Sequence, residues 1–185
     1  MVGSCVFILS LFMGRSRSSS VAGVDGRMHQ LIEEAKGKPH VILFISHDCP
    51  ICNAYAPEIG RIQNQFGKQV TIDLVYSETR ITAAVAKTHA KEFSINRSSL
   101  FLDPNGSFAQ YCKATVTPQA IVYDSNGTPV YSGRIDDRYL SLGKQRTNPT
   151  SHDLRNALEA VLAHKRPSIS RTAAVGCYIV LPSTS

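Results

Sequence analysis

Two of the five cysteines stand as Cys49-Pro50-Ile51-Cys52, and this spacing carries the richest chemistry in the sequence. Such a pair can exchange with disulfides, contribute to a metal knuckle, or lie inert in a core. Position favours the first. The pair follows the run VILFIS and opens a segment with helical spacing, so Cys49 falls at the first turn of a helix. Unpaired backbone N–H groups and the positive end of the macrodipole there stabilise thiolate over thiol. Thiolate is the form that attacks a disulfide, and Cys52, one turn deeper, can resolve the mixed disulfide from within the chain. A metal knuckle needs a second ligand pair, and Cys112, Cys177 and the six histidines supply no further C-x-x-C or H-x-x-x-H. No metal and no organic cofactor are therefore expected. Ser46, His47 and Asp48 precede the pair as candidate auxiliary groups, and Asp48 opposes a Cys49 thiolate by like-charge repulsion.

These residues need elements to hold them. MHQLIEEAK has helical spacing from residue 28, and VILFIS (41 to 46) is a continuous run typical of a strand buried on both faces. From Pro50 to about Phe66, Ile51, Ile59, Ile62 and Phe66 share one helical side, and VTIDLVY (70 to 76) is a second buried strand. A helix from about Thr82 to Phe93, a short strand at Leu100 to Leu102 and a short helix at Phe108 to Lys113 follow. AIVYD, Ser125-Asn126-Gly127 and PVYSGRI make a hairpin, because Asn-Gly supplies the positive φ of a tight turn. The last helix is expected to start at Thr150, with Asp153 completing a capping box and Leu154, Ala157, Leu158, Val161 and Leu162 forming its buried stripe. The order βαβα then ββα predicts an α/β sandwich, a central mixed sheet with helices on both faces. The run Arg134 to Tyr139 reads as a solvated, mutually neutralising loop, and His89 as a structural residue.

VILFISHDCPICNAYAPEIGRI resembles the active-site strand, C-x-x-C and first long helix of the thioredoxin superfamily, with Pro57 at that family's helix-kinking proline. Thr117-Pro118 ahead of AIVYD resembles its cis-proline loop, which faces the dithiol and offers backbone pairing to a substrate strand. The resemblance covers about residues 20 to 165. It implies a thioredoxin-like fold, Cys49 as attacking thiolate, Cys52 as resolving thiol, and a groove shaped by Pro118, Thr117, Pro50 and Ile51. DCPICNAYAPEI, TPQAIVYDSNGTPVYSGRIDDRY, HDLRNALEAVL and AVGCYI are similar to redoxin-type proteins of the alkyl hydroperoxide reductase/thiol-specific antioxidant group, which are often exported. Relatives there can carry serine where Cys52 stands, which makes Cys177 a candidate to resolve Cys49 from the tail, whereas Cys112 reads as a buried small hydrophobe. The implied partners are protein disulfides or dithiols, or a peroxide, together with an upstream thiol reductant.

Departures from the pattern matter too. Leu43 replaces the superfamily's buried acid, leaving His47, Asp48 or a water to take the inner thiol's proton. A peroxidase site would have proline where Ile42 stands, serine at Ser46, and an arginine beside the thiolate, for which Arg80, Arg97 and Arg134 are candidates. The alternatives to disulfide exchange are thus peroxide reduction by Cys49 and a binding module without turnover. Pro50-Ile51 lacks the basic residue of some strong oxidants, which leans the reading toward a reductant.

Composition bounds the rest. With 185 residues, 43% hydrophobic and 18% charged, the chain fits one domain at about 21–165, flanked by an N-terminal segment 1–20 and a tail 166–185 with Cys177. The net charge of +6 is scattered and not striped, which argues against nucleic acid as a partner, and no phosphate-binding glycine loop is present. No run reaches the roughly 20 apolar residues of a membrane span. The apolar run at 2 to 13 followed by Ser20-Val21-Ala22 has half the features of a signal peptide, so export to the periplasm or envelope is the expectation, with a cytoplasmic protein as the alternative.

Overall fold

The computed structural model describes residues 19–180, so the apolar run at 2 to 13 and Cys5 lie outside the described residues. The chain begins with β1 (Val21–Gly23), β2 (Met28–His29), α1 (Leu31–Glu34), β3 (His40–Ile45), α2 (Pro50–Phe66) and β4 (Thr71–Tyr76). It continues through α3 (Ala83–Glu92), β5 (Ser99–Leu102), α4 (Ser107–Cys112), β6 (Val116–Thr117), β7 (Gln119–Tyr123) and β8 (Pro129–Gly133). The last elements are β9 (Tyr139–Ser141), β10 (Lys144–Gln145), α5 (Asp153–Leu162) and β11 (Cys177–Tyr178).

Seven strands form one mixed sheet in the order β2-β1-β5-β4-β3-β7-β8. β3 and β4 run parallel, as do β4 and β5, while β3 meets β7 antiparallel. All six residues of β3 are buried because the sheet is covered on both sides. Val41, Leu43 and Ile45 point into the cluster that takes in α2, α3 and α5, and Ile42 and Phe44 into the cluster that takes in α1 and α4. This is the expected α/β sandwich with helices on both faces. The crossovers β3-α2-β4 and β4-α3-β5 put both helices on one face, with the start of α2 at the carboxyl end of β3.

Three expectations need correction. The helical spacing from residue 28 yields only four helical residues, because Met28 and His29 pair with Ala22 and Val21 as an edge hairpin. The same pairing puts Val21 and Ala22 of the small-x-small pattern Ser20-Val21-Ala22 into β1. The last helix starts at Asp153 and not at Thr150, and no side chain caps it. Thr150 is instead drawn to Asp137, whose carboxylate accepts from its backbone N–H at 2.6 Å and from its hydroxyl at 2.5 Å.

That contact overturns the third expectation, a solvated loop at 134 to 139. Asp136 is 2% and Asp137 5% exposed. Asp136 accepts from the Tyr55 hydroxyl of α2 at 2.5 Å and from the Arg138 N–H at 2.9 Å, with the Arg138 guanidinium 5.1 Å over the Tyr55 ring. Asp137 also accepts from the Ser151 N–H at 3.0 Å and pairs with Arg146 at 3.3 Å. Donors offset the burial of these carboxylates: both oxygens of Asp137 are hydrogen-bonded, whereas Asp136 takes two bonds on Oδ1 and leaves Oδ2 only the Arg138 guanidinium at 3.7 Å. Together they clamp α2, the loop after β8 and the approach to α5.

Candidate functional site

Cys49 is the N-cap residue of α2, with extended φ −83° and ψ 111°, and Pro50 takes the first helical position. Proline suits that place because its missing N–H would have no intrahelical partner. The Cys49 carbonyl accepts from Asn53 at 3.1 Å, which closes the first turn and brings Cys52 below Cys49. Both thiols are free and almost fully buried, Cys49 at 1% and Cys52 at 3% exposure. Opposite them the Thr117–Pro118 peptide bond is cis, and Thr117 O lies 3.3 Å from Cys49 Sγ.

The two thiols are polarised in opposite senses. A hydrogen bond from Cys52, and to a lesser degree one from Cys177, bring the Cys49 pKa down to about 4 against the burial that opposes it. Burial pushes Cys52 well above the usual thiol range, and the negative charge that develops on Cys49 adds to this. Cys49 is thus the sulfur that ionises first and Cys52 the one that keeps its proton. This is the division of labour that a nucleophile and a resolver require.

Cys177 arrives from the tail. β11 pairs antiparallel with β6, setting Cys177 opposite Thr117 and Tyr178 opposite Val116. The Cys177 and Cys49 sulfurs stand 2.7 Å apart. Gly176 makes this approach possible, since a Cβ there would collide with the Thr117 carbonyl. Burial and the nearby Cys49 raise the Cys177 thiol to about 12. Cys112 lies elsewhere, under the Tyr123 hydroxyl at 3.6 Å, with burial pushing it up to about 12.

The candidates thus divide. Cys49, Cys52, Cys177, Thr117 and Pro118 come together; Ile51 is buried beside them and Pro50 is exposed at the rim. Ser46 sits below the pair, its hydroxyl against the carboxylates of both Asp48 and Glu78. Glu78 also accepts from the His47 backbone N–H at 3.0 Å and pairs with its Nδ1 at 2.8 Å. The Ser46 and Glu78 bonds hold Asp48 below the usual carboxylate range, so its charge is spent within this cluster. Glu78 and Tyr76 escape a reading of the sequence because they follow at the end of β4, the neighbouring strand, where nothing local marks them. Tyr76 feels the charges of both Glu78 and Cys52, and its hydroxyl bonds His89 Nδ1 at 2.8 Å. His89 Nε2 in turn meets Asn53 Oδ1 at 2.9 Å, and burial lowers its pKa, so it is a neutral structural residue.

The arginine of a peroxidase site has no counterpart among the three candidates. Arg134 is bound to Asp153 at 2.8 Å, Arg97 lines a separate cavity with Lys38 and Gln63, and Arg80 is exposed beyond β4. A cavity of about 740 Å³ lies at the far edge of the sheet, against Gly23, His29, Lys91 and Phe101, and includes none of the cysteines among the described residues.

A family model described as a thioredoxin-like domain matches residues 30–140. No curated protein matches the sequence. Among solved structures, a hypothetical protein from Sinorhizobium meliloti is 23% identical with a TM-score of 0.75, the match covering 90% of this chain and 91% of that one. An uncharacterized conserved protein from Geobacillus kaustophilus is 23% identical with a TM-score of 0.74, over 90% and 89% of the two chains. A secreted Mycobacterium tuberculosis disulfide oxidoreductase, homologous to E. coli DsbE, is 20% identical with a TM-score of 0.54, over 78% of this chain and 94% of that one. At these identities the likeness is one of fold.

Proposed function

This chain belongs to the thioredoxin-like domain family, and we propose that within it the protein is a thiol-disulfide oxidoreductase working through Cys49 and Cys52. The Cys49 thiolate attacks a partner disulfide, forming a mixed disulfide and releasing one partner thiolate. Cys52 then loses its proton and attacks Cys49 Sγ, the second partner thiolate leaves, and a Cys49–Cys52 disulfide remains. In this direction two electrons pass from the dithiol to the partner and an upstream thiol reductant restores the pair; the same steps in reverse pass the Cys49–Cys52 disulfide to a partner dithiol. Thr117 and Pro118 form the wall on which a partner strand pairs, with Pro50 and Ile51 at its edge. Ser46, Asp48 and Glu78 form a polar cluster just after β3 and β4, and they are the groups offered for the inner thiol's proton in place of the acid that Leu43 displaces.

The observation that carries this reading is the placement of Cys49 Sγ at the helix N-cap, 3.3 Å from Thr117 O ahead of the cis Pro118, with Cys52 one turn deeper in α2. Dithiothreitol-driven reduction of insulin disulfides tests it. The wild type accelerates the reaction, and Cys49→Ser returns it to the uncatalysed background. Equal rates for the two proteins would leave a binding module and remove the enzyme. The site is assigned to an exported protein, in keeping with the secreted oxidoreductase among its structural neighbours.

A further inference from the structure

We propose that residues 170–180 are a built-in substrate strand and that Cys177 is a third redox-active cysteine, which forms a disulfide with Cys49 and hands Cys49 on to Cys52. The inference rests on the nucleophilic Cys49 of the preceding section.

Two anchors fix the strand, and the sulfur lies between them. Upstream, Ser132 N–H donates to Ser170 O at 3.0 Å and Thr172 N–H to Ser132 O at 3.1 Å, which adds a parallel bridge to the edge of β8. The Thr172 hydroxyl also accepts from Arg134 N–H at 3.0 Å and meets the Tyr131 hydroxyl at 2.7 Å. Downstream, Ile179 N–H donates to Thr115 O at 3.0 Å, and its side chain, 7% exposed, enters the cluster of α1 and α4. Tyr178 between them is 82% exposed, the alternation of a strand with one face docked. The strand adds to β6 by backbone pairing, the way an extended peptide is recognised at a sheet edge. Cys177 therefore occupies the place of a partner's cysteine, and glycines at 176 and 133 leave room for the strand, since a Cβ at either would collide with Thr117 or Thr172.

The chemistry balances with a small disulfide, such as oxidised glutathione, as oxidant. When the tail lifts, the Cys49 thiolate attacks it, forming Cys49–glutathione and releasing one glutathione thiolate. When the tail redocks, Cys177 loses its proton and attacks Cys49 Sγ. The Cys49–glutathione bond breaks, the second glutathione leaves and takes a proton, and Cys49–Cys177 forms. Cys52 then attacks Cys49 Sγ, and Cys177 departs with the proton Cys52 gives up. The first glutathione thiolate takes from water the proton that Cys49 had given up, so the net change is two glutathione thiols and a Cys49–Cys52 disulfide, with Cys177 a thiol again. A protein partner must displace the same strand to reach Cys49.

Full-length Cys52→Ser, oxidised with glutathione disulfide, quenched in acid and alkylated, tests this by peptide mass spectrometry. The expected product is a Cys49–Cys177 link with Cys112 alkylated, whereas Cys52→Ser/Cys177→Ser keeps glutathione on Cys49. Glutathione on Cys49 with Cys177 alkylated in the single variant overturns the proposal. Gly176→Val, with folding checked by circular dichroism, reads the docking independently. Alkylation of Cys49 is expected to speed up about tenfold or more as the docked state is lost, and an unchanged rate counts against the docked strand. A wild type inactive on insulin whose Cys52→Ser variant still forms the Cys49–Cys177 link would remove the exchange reading and keep this one; an active wild type whose Cys52→Ser variant lacks the link would do the reverse.

Discussion

Cys49 draws its thiolate stability from named neighbours, and their order is testable. The hydrogen bond from Cys52 is the largest contribution, and Cys177 contributes less. Titration by ultraviolet thiolate absorbance is expected to give a midpoint near 4 for the wild type. Cys52→Ala should raise it more than Cys177→Ala does; a larger rise from Cys177→Ala would transfer the leading role to the tail. The sign for stability follows. The folded value lies below the ordinary 9.0, so the thiolate's contribution is fully present above that value and is lost as the pH falls through about 4. The same stabilisation favours the dithiol form, which biases exchange toward passing a disulfide to a partner, opposite to the lean taken from Pro50-Ile51. Equilibration of the Cys49/Cys52 pair with glutathione reads that bias as a potential.

At the scale of elements, the clamp after β8 shows what local sequence conveys and what it omits. β3 and β4 are legible because six and five buried residues in a row, most of them apolar, leave a near-continuous signature, and α2 because its buried positions recur at helical spacing. β6 and β11 are not, since two residues carry no period, and their partners lie about sixty positions apart in the chain. The dithiol and the cis-proline loop were readable as motifs, whereas the role of Asp136 depends on Tyr55, 81 residues away, and a carboxylate looks the same solvated or buried. Asp137→Asn measures the clamp. Hydrogen bonds, led by the one from the Thr150 hydroxyl, hold the Asp137 carboxyl well below the ordinary 3.8. Its stabilisation is therefore present above that value and declines as the pH drops below it. Urea unfolding at neutral pH should show a loss of roughly 1 to 3 kcal/mol in the variant. The gap to wild type should narrow below pH 3.8; a gap that does not change with pH would mean that packing and not charge holds the clamp.

For the whole molecule the question is whether the tail unfolds with the domain or apart from it. Ile179 is as buried as many core residues, and truncating an isoleucine in a core costs roughly 2 to 5 kcal/mol. A terminal strand has another option. It can release from β6 while the seven-stranded sheet stays intact, so global unfolding registers no more than the free energy of docking. Release has one large consequence, because the docked strand sets its own sulfur 2.7 Å from Cys49, which is left 1% exposed. Ile179→Ala is thus expected to shift the urea midpoint only slightly while accelerating alkylation of Cys49 severalfold, the two readouts separating because they sample different openings. A large drop in global stability with no gain in Cys49 reactivity would show that the strand belongs to the core and does not lift. A partner could then reach the dithiol only by unfolding the domain, and an exchange enzyme could not operate that way.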